Sequence, residues 1–587
     1  MKRKEIISLL IIASILGFGA VAFAKPYFRV KTVIIPADAE ACYSINDKGQ
    51  VTGSCRIALK ELMENGILSE EDRRKISPIF LYDPERGIVF PHKVGILRLK
   101  EREWDEEGPD VFVLREIRGY IWPLVTSINN QSQVLCEGFL WPKSRGDPAP
   151  YCVGYYDFNK DEFIPISFLG EYSQFKKRTY SAFPFFKRIY SFKWQMVDIN
   201  DKGMVLCRGV MLRLIKEHSL ETDALLWKKK GDLVPEVALI KSPPDSFTPY
   251  YRKDIEKYKD LKFHYRIGEK KRHDAILPRA LNNKGVCLIN VYNNRYAGKP
   301  RVKYEYSDKK FFGERGNVSC ACYLWKDGKY ILQVKNTLGD RRYIQGIDIN
   351  DKNEITGVAR IDADVEKLNY RAFLWSNGKL VNLGIPENSG SSFWKRGGRK
   401  NFSGKLKEIL NEKYKTCWKF ARTIGLAINN KTEIVGVLLG NTFQPGDAMP
   451  WMEGRRFQII DCMGRGGIHE PFYWKKGKNY ALQSLLPSDT NWWLIDAFDI
   501  NNRSEIVCSA VLQGELPSSL AEYLSEVKDK KMVLILEPVE REVLEKENPP
   551  QIVDWKSFLK GEIAKIKDLA KQLEEEKKRK RRRWRRK

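Results

Sequence analysis

Histidine is scarce in this chain, with five residues among 587. None of the five has a second ligand at helical or hairpin spacing, so a zinc site is not expected. The Gly-x-Ser-x-Gly sequence of a nucleophile elbow does not occur either. The sequence therefore predicts no catalytic residue, no metal site and no cofactor.

Two segments resemble ligand-binding loops only in part. The segment from Asp198 begins like a calcium loop, but its fifth position is Lys202 and its twelfth is Gly209, where a carboxylate is required. The pair Gly397-Gly398 lacks the flanking strand and helix, and the Lys-Ser/Thr ending, of a phosphate loop. Neither segment is assigned a ligand.

One long apolar run stands at the N-terminus, over residues 6–21. Three basic residues precede it, and it ends in Val21-Ala22-Phe23-Ala24. This layout predicts that residues 1–24 are a signal peptide cleaved after Ala24, or an uncleaved membrane anchor. In both cases the basic N-terminus stays inside, so the body is expected in the periplasm or outside the cell.

Acidic residues are outnumbered, since 102 Lys and Arg oppose 75 Asp and Glu, giving a formal charge of +27. Ten of those positive charges lie in the last eleven residues, 577–587. Such a chain attracts polyanions. For an exported body we expect an anionic lipid or acidic glycan, or an envelope protein, as partner; nucleic acid is disfavoured.

A short turn rich in Asn, Asp and Gly recurs seven times, each time between a strand end and the start of a second strand. Self-similarity at such an interval is typical of repeat architectures. The Asn is expected to close the turn with its side chain and to tolerate left-handed geometry. The copies, numbered here as units 1 to 7, are Ser44–Gly53, Ser127–Cys136, Asp198–Cys207, Ala280–Ile289, Asp348–Gly357, Ala427–Gly436 and Asp499–Cys508.

A second hairpin follows each turn, most clearly in unit 5, and unit 7 keeps only Met532–Glu537 of it. Two hairpins give four strands, which we label A to D and which make one propeller blade. The predicted fold is therefore all-β: a seven-bladed β-propeller of four-stranded antiparallel units over residues 25–545, with long loops on one face. A C-terminal helix and a polybasic tail follow over residues 546–587.

The turn of unit 5, with Ala372-Phe373-Leu374-Trp375 and Val381-Asn382-Leu383-Gly384, resembles the HAF repeat of exported bacterial proteins. That family is named for a His-Ala-Phe signature, and Arg371 stands where the His would be. The resemblance covers roughly residues 40–540. It implies an extracytoplasmic, propeller-like β-protein and no catalytic residue.

Eleven Cys in an exported chain suggest disulfides, but we expect at most two. Cys136, Cys207 and Cys508 occupy one position of the repeat, where three other units have Gly and unit 4 has Ile289. A position that accepts Gly or Cys is tightly packed, and Cys acts there as a small hydrophobe. Cys42 and Cys55 flank one turn and could pair across it.

Successive turn Asn residues are 68 to 83 positions apart, more than the about 40–45 of a lean blade. The A–B and C–D turns are short, so the extra length must lie in the connections at the opposite end, where we expect a binding surface. Tolerated insertions are the alternative. The candidate binding residues in two aromatic and basic insertions are Phe183, Phe185, Phe186, Lys187, Arg188, Trp194, Trp394, Lys395, Arg396 and Arg399.

Asp198, Asp348 and Asp499 share one register on strand A, which would line the axis of a propeller. They are candidate channel-lining residues, and a solvated channel wall is the simplest interpretation. From Trp555 onward, apolar residues recur at steps of three and four and predict an amphipathic helix. The tail candidates for docking on a membrane or polyanion, with a solvated tail as the alternative, are Arg581, Arg582, Arg583, Trp584 and Arg585.

The predicted function is binding or scaffolding at the cell envelope, through one loop-rich basic face of an exported or membrane-anchored repeat protein. Two alternatives stay open. The first is an exported hydrolase or lyase that acts on a glycan, and the second is a nucleic-acid-binding protein.

Overall fold

A computed structural model gives the backbone of the repeats and of both ends of the body. The residues it describes are 25–38, 43–69, 79–90, 96–103, 111–122, 127–140, 151–160, 162–165, 190–213, 222–230, 234–240, 275–293, 319–339, 343–361, 370–387, 422–439, 469–487, 490–512, 530–541, 549–561 and scattered positions over 563–579.

Thirty strands in the described residues form seven sheets, so the all-β class is confirmed. The N-terminal strand is β1 (Tyr27–Pro36). Sheet 1 contains β2 (Ser44–Ile45), β3 (Val51–Ser54), β4 (Ile79–Asp83) and β5 (Gly87–Val89), with helix α1 (Arg56–Glu64) between β3 and β4. Sheet 2 contains β6 (Ile96–Glu103), β7 (Val111–Trp122), β8 (Gln133–Leu140), β9 (Tyr151–Asp157) and β10 (Glu162–Pro165).

Sheets 3 to 6 each have four antiparallel strands in chain order. Sheet 3 contains β11 (Tyr190–Ile199), β12 (Val205–Arg213), β13 (Thr222–Lys230) and β14 (Val234–Ile240). Sheet 4 contains β15 (Ala275–Leu281), β16 (Cys287–Asn293), β17 (Ser319–Lys326) and β18 (Lys329–Val334). Sheet 5 contains β19 (Ile344–Ile349), β20 (Ile355–Arg360), β21 (Tyr370–Ser376) and β22 (Lys379–Asn382). Sheet 6 contains β23 (Arg422–Ile428), β24 (Ile434–Leu439), β25 (His469–Lys475) and β26 (Lys478–Ala481), and a 3-10 helix follows at Leu482–Leu485.

Sheet 7 joins the two ends of the chain. Its strands run in the order β27 (Trp492–Ile500), β28 (Ile506–Leu512), β29 (Lys531–Val539), β1 and β30 (Gln551–Ile552). Strand β1 pairs antiparallel with β29 and takes the fourth place, and β30 pairs parallel with β1. The repeat pattern predicts no fourth strand for unit 7, because that strand comes from the other end of the chain.

The inner strands are buried on both faces, which explains their unbroken apolar runs. Every residue of β20 and β24 is buried, whereas the fourth strand of sheet 5, β22, is mostly exposed. The runs of Ile, Val and Leu in the inner strands favour extended backbone and fill the space between neighbouring sheets. Sheet 5 thus presents one solvated edge, whereas the fourth strand of sheet 6, β26, is mostly buried.

Both kinds of turn sit at one end of each sheet. In sheet 4, Cys287 begins strand B after the A–B turn and pairs with Trp325, which itself pairs with Tyr330 just after the C–D turn. The connections between strands B and C, and between one sheet and the next, therefore lie at the other end. Most of these connections fall outside the described residues.

The A–B turns share one backbone form. In unit 1 the amide of Asn46 donates to the carbonyl of Gln50 at 3.1 Å, and Gly49 donates back to Asn46 at 3.0 Å. The left-handed residue is the one three positions after the Asn, so left-handed geometry at the Asn itself was a wrong expectation. The seven left-handed residues are Gly49, Ser132, Gly203, Gly285, Asn353, Thr432 and Ser504.

The C-terminal helix begins at residue 555 and packs on the body. Trp555, Leu559 and Ile563 are buried at four-residue spacing and share a hydrophobic cluster with Leu62 of α1. The ring of Phe558 lies over Gly87, where an added Cβ would come within 2.2 Å of it. Among the residues the structure describes, none of the helices has the length and apolar content to cross a membrane.

The cysteines of the repeat lie where the sequence predicted tight packing. Cys207 and Cys508 are fully buried, and burial raises the pKa of the Cys508 thiol. At the equivalent Gly436, an added Cβ would lie 2.1 Å from the carbonyl oxygen of Ile424. Gly436 thus leaves no room for a larger side chain, whereas unit 4 accommodates the fully buried Ile289 at the equivalent position. Cys42 lies outside the described residues, so its pairing with Cys55 stays a prediction.

Candidate functional site

Seven Asn side chains link the seven A–B turns into a closed ring. Within its own turn, the Oδ1 of Asn46 accepts hydrogen bonds from the backbone amides of Lys48 and Gln50, each at 3.0 Å. Its Nδ2 donates to the carbonyl oxygen of Asn129 in the next turn at 2.9 Å. The same inter-turn bond continues through Asn129, Asn200, Asn282, Asn350, Asn429 and Asn501, and that of Asn501 returns to Asn46 at 2.9 Å.

A second ring is formed by the residue that follows each Asn. Its backbone amide donates to the side-chain oxygen of its counterpart in the next turn, at 2.7–2.8 Å throughout. In chain order the seven residues are Asp47, Asn130, Asp201, Asn283, Asp351, Asn430 and Asn502. Asp and Asn therefore alternate from Asp47 to Asn430, and Asn430 is followed by a second Asn, Asn502.

The alternation matches donors to acceptors. The side-chain amide of Asn130 donates to the carboxylates of Asp47 and Asp201, both at 3.0 Å, and Asn283 does the same for Asp201 and Asp351. A carboxylate only accepts hydrogen bonds, whereas an amide can donate two. Two residue types cannot alternate perfectly around a ring of seven positions, so two like residues must be neighbours once. Here these neighbours are Asn430 and Asn502, which avoids the repulsion of two adjacent carboxylates.

The two rings surround a polar cavity of about 170 Å³, here called the axial cavity, whose lining comes from all seven A–B turns. This volume holds several water molecules. The three aspartates predicted to line a channel, Asp198, Asp348 and Asp499, belong to its lining. Asp47, Asp201 and Asp351 contribute three further carboxylates.

Each predicted channel aspartate bonds to the neighbouring sheet. Asp198 accepts a hydrogen bond from its own neighbour Ile199 at 2.9 Å and from the amide of Leu281 in unit 4 at 2.7 Å. Asp348 accepts one from Ile428 at 2.9 Å, and Asp499 accepts one from the hydroxyl of Ser44 at 2.5 Å. These carboxylates thus join units 3 to 4, 5 to 6 and 7 to 1.

A layer of carboxylates lies behind the turns of units 5 to 7, with Glu433 and Glu505 buried and Glu354 half-buried. Desolvation by burial raises the pKa of each, but hydrogen bonds and cations outweigh it and leave the pKa below its ordinary value. Glu433 pairs with Lys475 at 2.7 Å, and Glu505 pairs with Lys31 of β1 at 2.6 Å.

The other predicted site residues are not brought together by the described part of the structure. Trp194 lies on β11, opposite Gly209 of β12. The remaining binding candidates in both insertions, and the five tail candidates, lie outside the described residues, as do residues 1–24. Their roles stay predictions.

The second ring was missed in the sequence, although a signal was present. The position after each turn Asn is always Asp or Asn, and it was read only as turn composition. The Glu layer was missed because Gln50 and Gln133, then Met204 and Val286, occupy the same position in units 1 to 4. Because the residue type at this repeat position differs between units, the sequence does not show that the three glutamates occupy equivalent places in the fold.

Among the described residues, no group of His, Cys, Asp or Glu has the arrangement of a metal site. No protein-family profile matches the chain, and no curated protein sequence matches it.

Two solved structures with low similarity are an acylaminoacyl peptidase from Pyrococcus horikoshii and a sialidase from Trypanosoma rangeli. The peptidase has 10% identity and a TM-score of 0.31, with 67% of this chain and 43% of the peptidase chain covered. The sialidase has 7% identity and a TM-score of 0.26, with 75% of this chain and 57% of the sialidase chain covered. The chain thus spans less than two thirds of either structure, and similarity at this level carries no functional argument.

Proposed function

We propose that the chain is a seven-bladed β-propeller that acts as an exported binding or scaffolding protein at the cell envelope. The observation that carries the fold part is the hydrogen bond from Asn501 back to Asn46, which makes the ring of turns cyclic. The pairing of β1 with β29 supports it, because the first strand then completes the last blade.

The function part rests on the difference between the two ends of the blades. The A–B turns are short and nearly identical, and their backbone groups form the hydrogen bonds of the two rings. Their backbone is therefore unavailable to a partner. The connections at the other end differ from unit to unit, as the spacing of 68 to 83 residues requires. Individual loops on a rigid scaffold are where binding residues concentrate.

The likeness to HAF-repeat proteins belongs to the same proposal. Its support is the environment of strand β21, where Ala372 and Phe373 are fully buried. The signature residues then form the core of the blade, and an exported location follows from the N-terminal layout. The axial carboxylates do not favour the glycan-hydrolase alternative, because they accept structural hydrogen bonds between neighbouring units.

Site-specific photo-crosslinking in the native cell tests the binding proposal. A photoreactive residue replaces Ile57 or Lys335, which are exposed near the loop end, or Gln131, which is exposed in an A–B turn. We expect adducts with an envelope protein or glycan from the loop-end positions. Adducts with such a partner from Gln131 alone would contradict the proposal, and recovery of the protein in the cytoplasm with residues 1–24 intact would contradict export.

A further inference from the structure

The A–B turns carry a ring of exposed cations. The second residue after the turn Asn is exposed in every unit and is basic in six of the seven, with Gln131 as the exception. The six cations are Lys48, Lys202, Lys284, Lys352, Lys431 and Arg503. Because each turn has the same backbone form, these side chains project at equivalent positions around the axial cavity.

The C–D turns add a second set of cations at the same end. The two kinds of turn touch, since the amide of Phe158 donates to the carbonyl of Ser132 at 3.2 Å. Exposed acids in the described C–D turns are Glu85 and Asp327. The exposed cations there are Arg86, Lys160, Lys329, Lys379, Lys476 and Lys478. We call the exposed residues of all these turns the turn face.

The carboxylates around the axial cavity are recessed behind the cations, unlike the exposed Glu85 and Asp327 of the C–D turns. Asp47, Asp201 and Asp351 are half-buried and accept hydrogen bonds from ring amides, and Glu505 is buried against Lys31 and Arg503. Acidic charge is therefore concentrated in and behind the axial cavity, and basic charge is spread over the rim. A flat partner would meet the rim first.

The N-terminal strand enters the body at this same end. Tyr27, its first residue, pairs with Val539, and Val30 pairs with Leu536. Leu536 in turn pairs with Ile506, the first strand residue after the turn of unit 7. The apolar run over 6–21 is separated from β1 by five residues, 22–26, which reach at most about 18 Å when extended.

We propose that the turn face docks on the surface of an anionic phospholipid bilayer, with the loop end directed away from it. This inference rests on the proposed envelope location. Basic residues are attracted to an anionic leaflet within about one Debye length, roughly 8–10 Å. The broad basic rim supplies many such contacts at once, and β1 enters the body at the turn face, which is the side that meets the bilayer in this arrangement.

Energy transfer to the lipid surface tests the docking in the full chain. A fluorescent residue is placed at Gln131 on the turn face or at Lys335 near the loop end, and an acceptor is attached to lipid headgroups of vesicles. On phosphatidylglycerol vesicles we expect at least fivefold more transfer from Gln131 than from Lys335. The ratio of transfer from Gln131 to transfer from Lys335 should fall at least fivefold on pure phosphatidylcholine or in high salt.

Two charge-matched variants separate the turn face from net charge. Lys202→Gln, Lys284→Gln and Lys352→Gln together should abolish the dependence of the Gln131 signal on phosphatidylglycerol. The control combines Arg56→Gln, Lys60→Gln and Lys335→Gln, three exposed cations away from the turn face, and should change that signal less than twofold. All six side chains are exposed, so both variants are expected to fold.

Three outcomes would overturn the docking proposal. The first is equal transfer from both labelled positions, and the second is an equal effect of both triple variants. The third is that the turn-face variant loses binding to a single-stranded oligonucleotide while its transfer to lipid is unchanged. Each leaves the proposed binding role of the loop end intact, because that role is read from the identity of the crosslinked partner and not from energy transfer to lipid.

Discussion

At the scale of single residues, one amide performs two tasks in every unit. The side-chain oxygen of the turn Asn closes its own turn, and the side-chain nitrogen holds the next one. The sequence predicted the first task, because local hydrogen bonding is a known property of Asn. It could not predict the second, because the partner carbonyl lies 68 to 83 residues away in six units and 455 residues away in unit 7, and is brought near only by the packing of whole sheets.

Replacing one such Asn by Asp keeps the acceptor and removes the donor. In Asn350→Asp the new carboxylate would face the carbonyl of Asn429 at 3.0 Å and the carboxylate of Glu354 at 2.7 Å. We expect a loss of unfolding free energy of about 3 kcal/mol or more at neutral pH, since a buried charge is left against acceptors. Chemical denaturation measures it.

The matched control for that change is Asn282→Asp. Unit 4 has Val286 where unit 5 has Glu354, so the new carboxylate meets no second one there. The loss should be smaller than in Asn350→Asp, and lowering the pH should recover more stability in the unit 5 variant. Equal losses in both variants would show that the Glu layer does not interact with the ring.

The buried glutamates should make the fold sensitive to acid. Because the pKa of Glu433 is lowered in the folded state, its contribution is complete above its ordinary value of 4.5 and is lost as the pH falls through the folded pKa. Glu433→Gln removes this titrating group and its share of the stability lost in acid. The unfolding free energy of the variant should therefore fall less steeply below about pH 4.5. Denaturation at several pH values measures the slope; an unchanged slope would contradict the assignment.

At the scale of elements, the C-terminal helix uses part of its apolar face inside the protein. The sequence predicted the helix from its periodicity, and residues 555–561 are helical. Periodicity cannot say what an apolar face contacts. Here Trp555 and Leu559 join the cluster that includes α1, and Lys556 approaches Glu61 of α1 at 3.9 Å.

The packing of this helix can be measured with one truncation. Leu559 is fully buried, so Leu559→Ala should lower the unfolding free energy by about 2–5 kcal/mol through a cavity. Lys560→Ala, at the exposed neighbouring position, should have an effect within about 0.5 kcal/mol. If the two variants unfold alike, the helix does not contribute to the core.

At the scale of the whole molecule, repetition made much of the architecture readable from sequence. The seven turns predicted seven four-stranded units, and seven sheets are present in the described residues. Two sheets depart from that prediction: sheet 2 has the additional strand β6, and unit 7 takes its fourth strand, β1, from the N-terminal end of the body. Repeat comparison works between neighbouring units and gives no signal when a unit is completed from the other end of the chain.

The contribution of strand β1 to the stability of sheet 7 can be tested by removing β1 and adding it back as a peptide. Phe28, Val33, Ile34 and Ile35 of β1 are fully buried, so removal of residues 1–38 should expose the edge of β29 and lower the melting temperature. A peptide of residues 25–38 added in excess should restore part of the loss through mass action. The same peptide with Val33→Asp is the control, and identical effects of the two peptides would contradict strand exchange.

The pairing of the two chain ends also sets an order of events during synthesis. Pro36 pairs with Met532, 496 residues later in the sequence. At about 5–20 residues per second a ribosome needs roughly 25–100 s to make that stretch. Throughout that time β1 lacks its partner strand β29, so the last sheet can form only late in synthesis. Late completion of the last sheet is compatible with the proposed export, in which the chain would cross a membrane before it becomes compact.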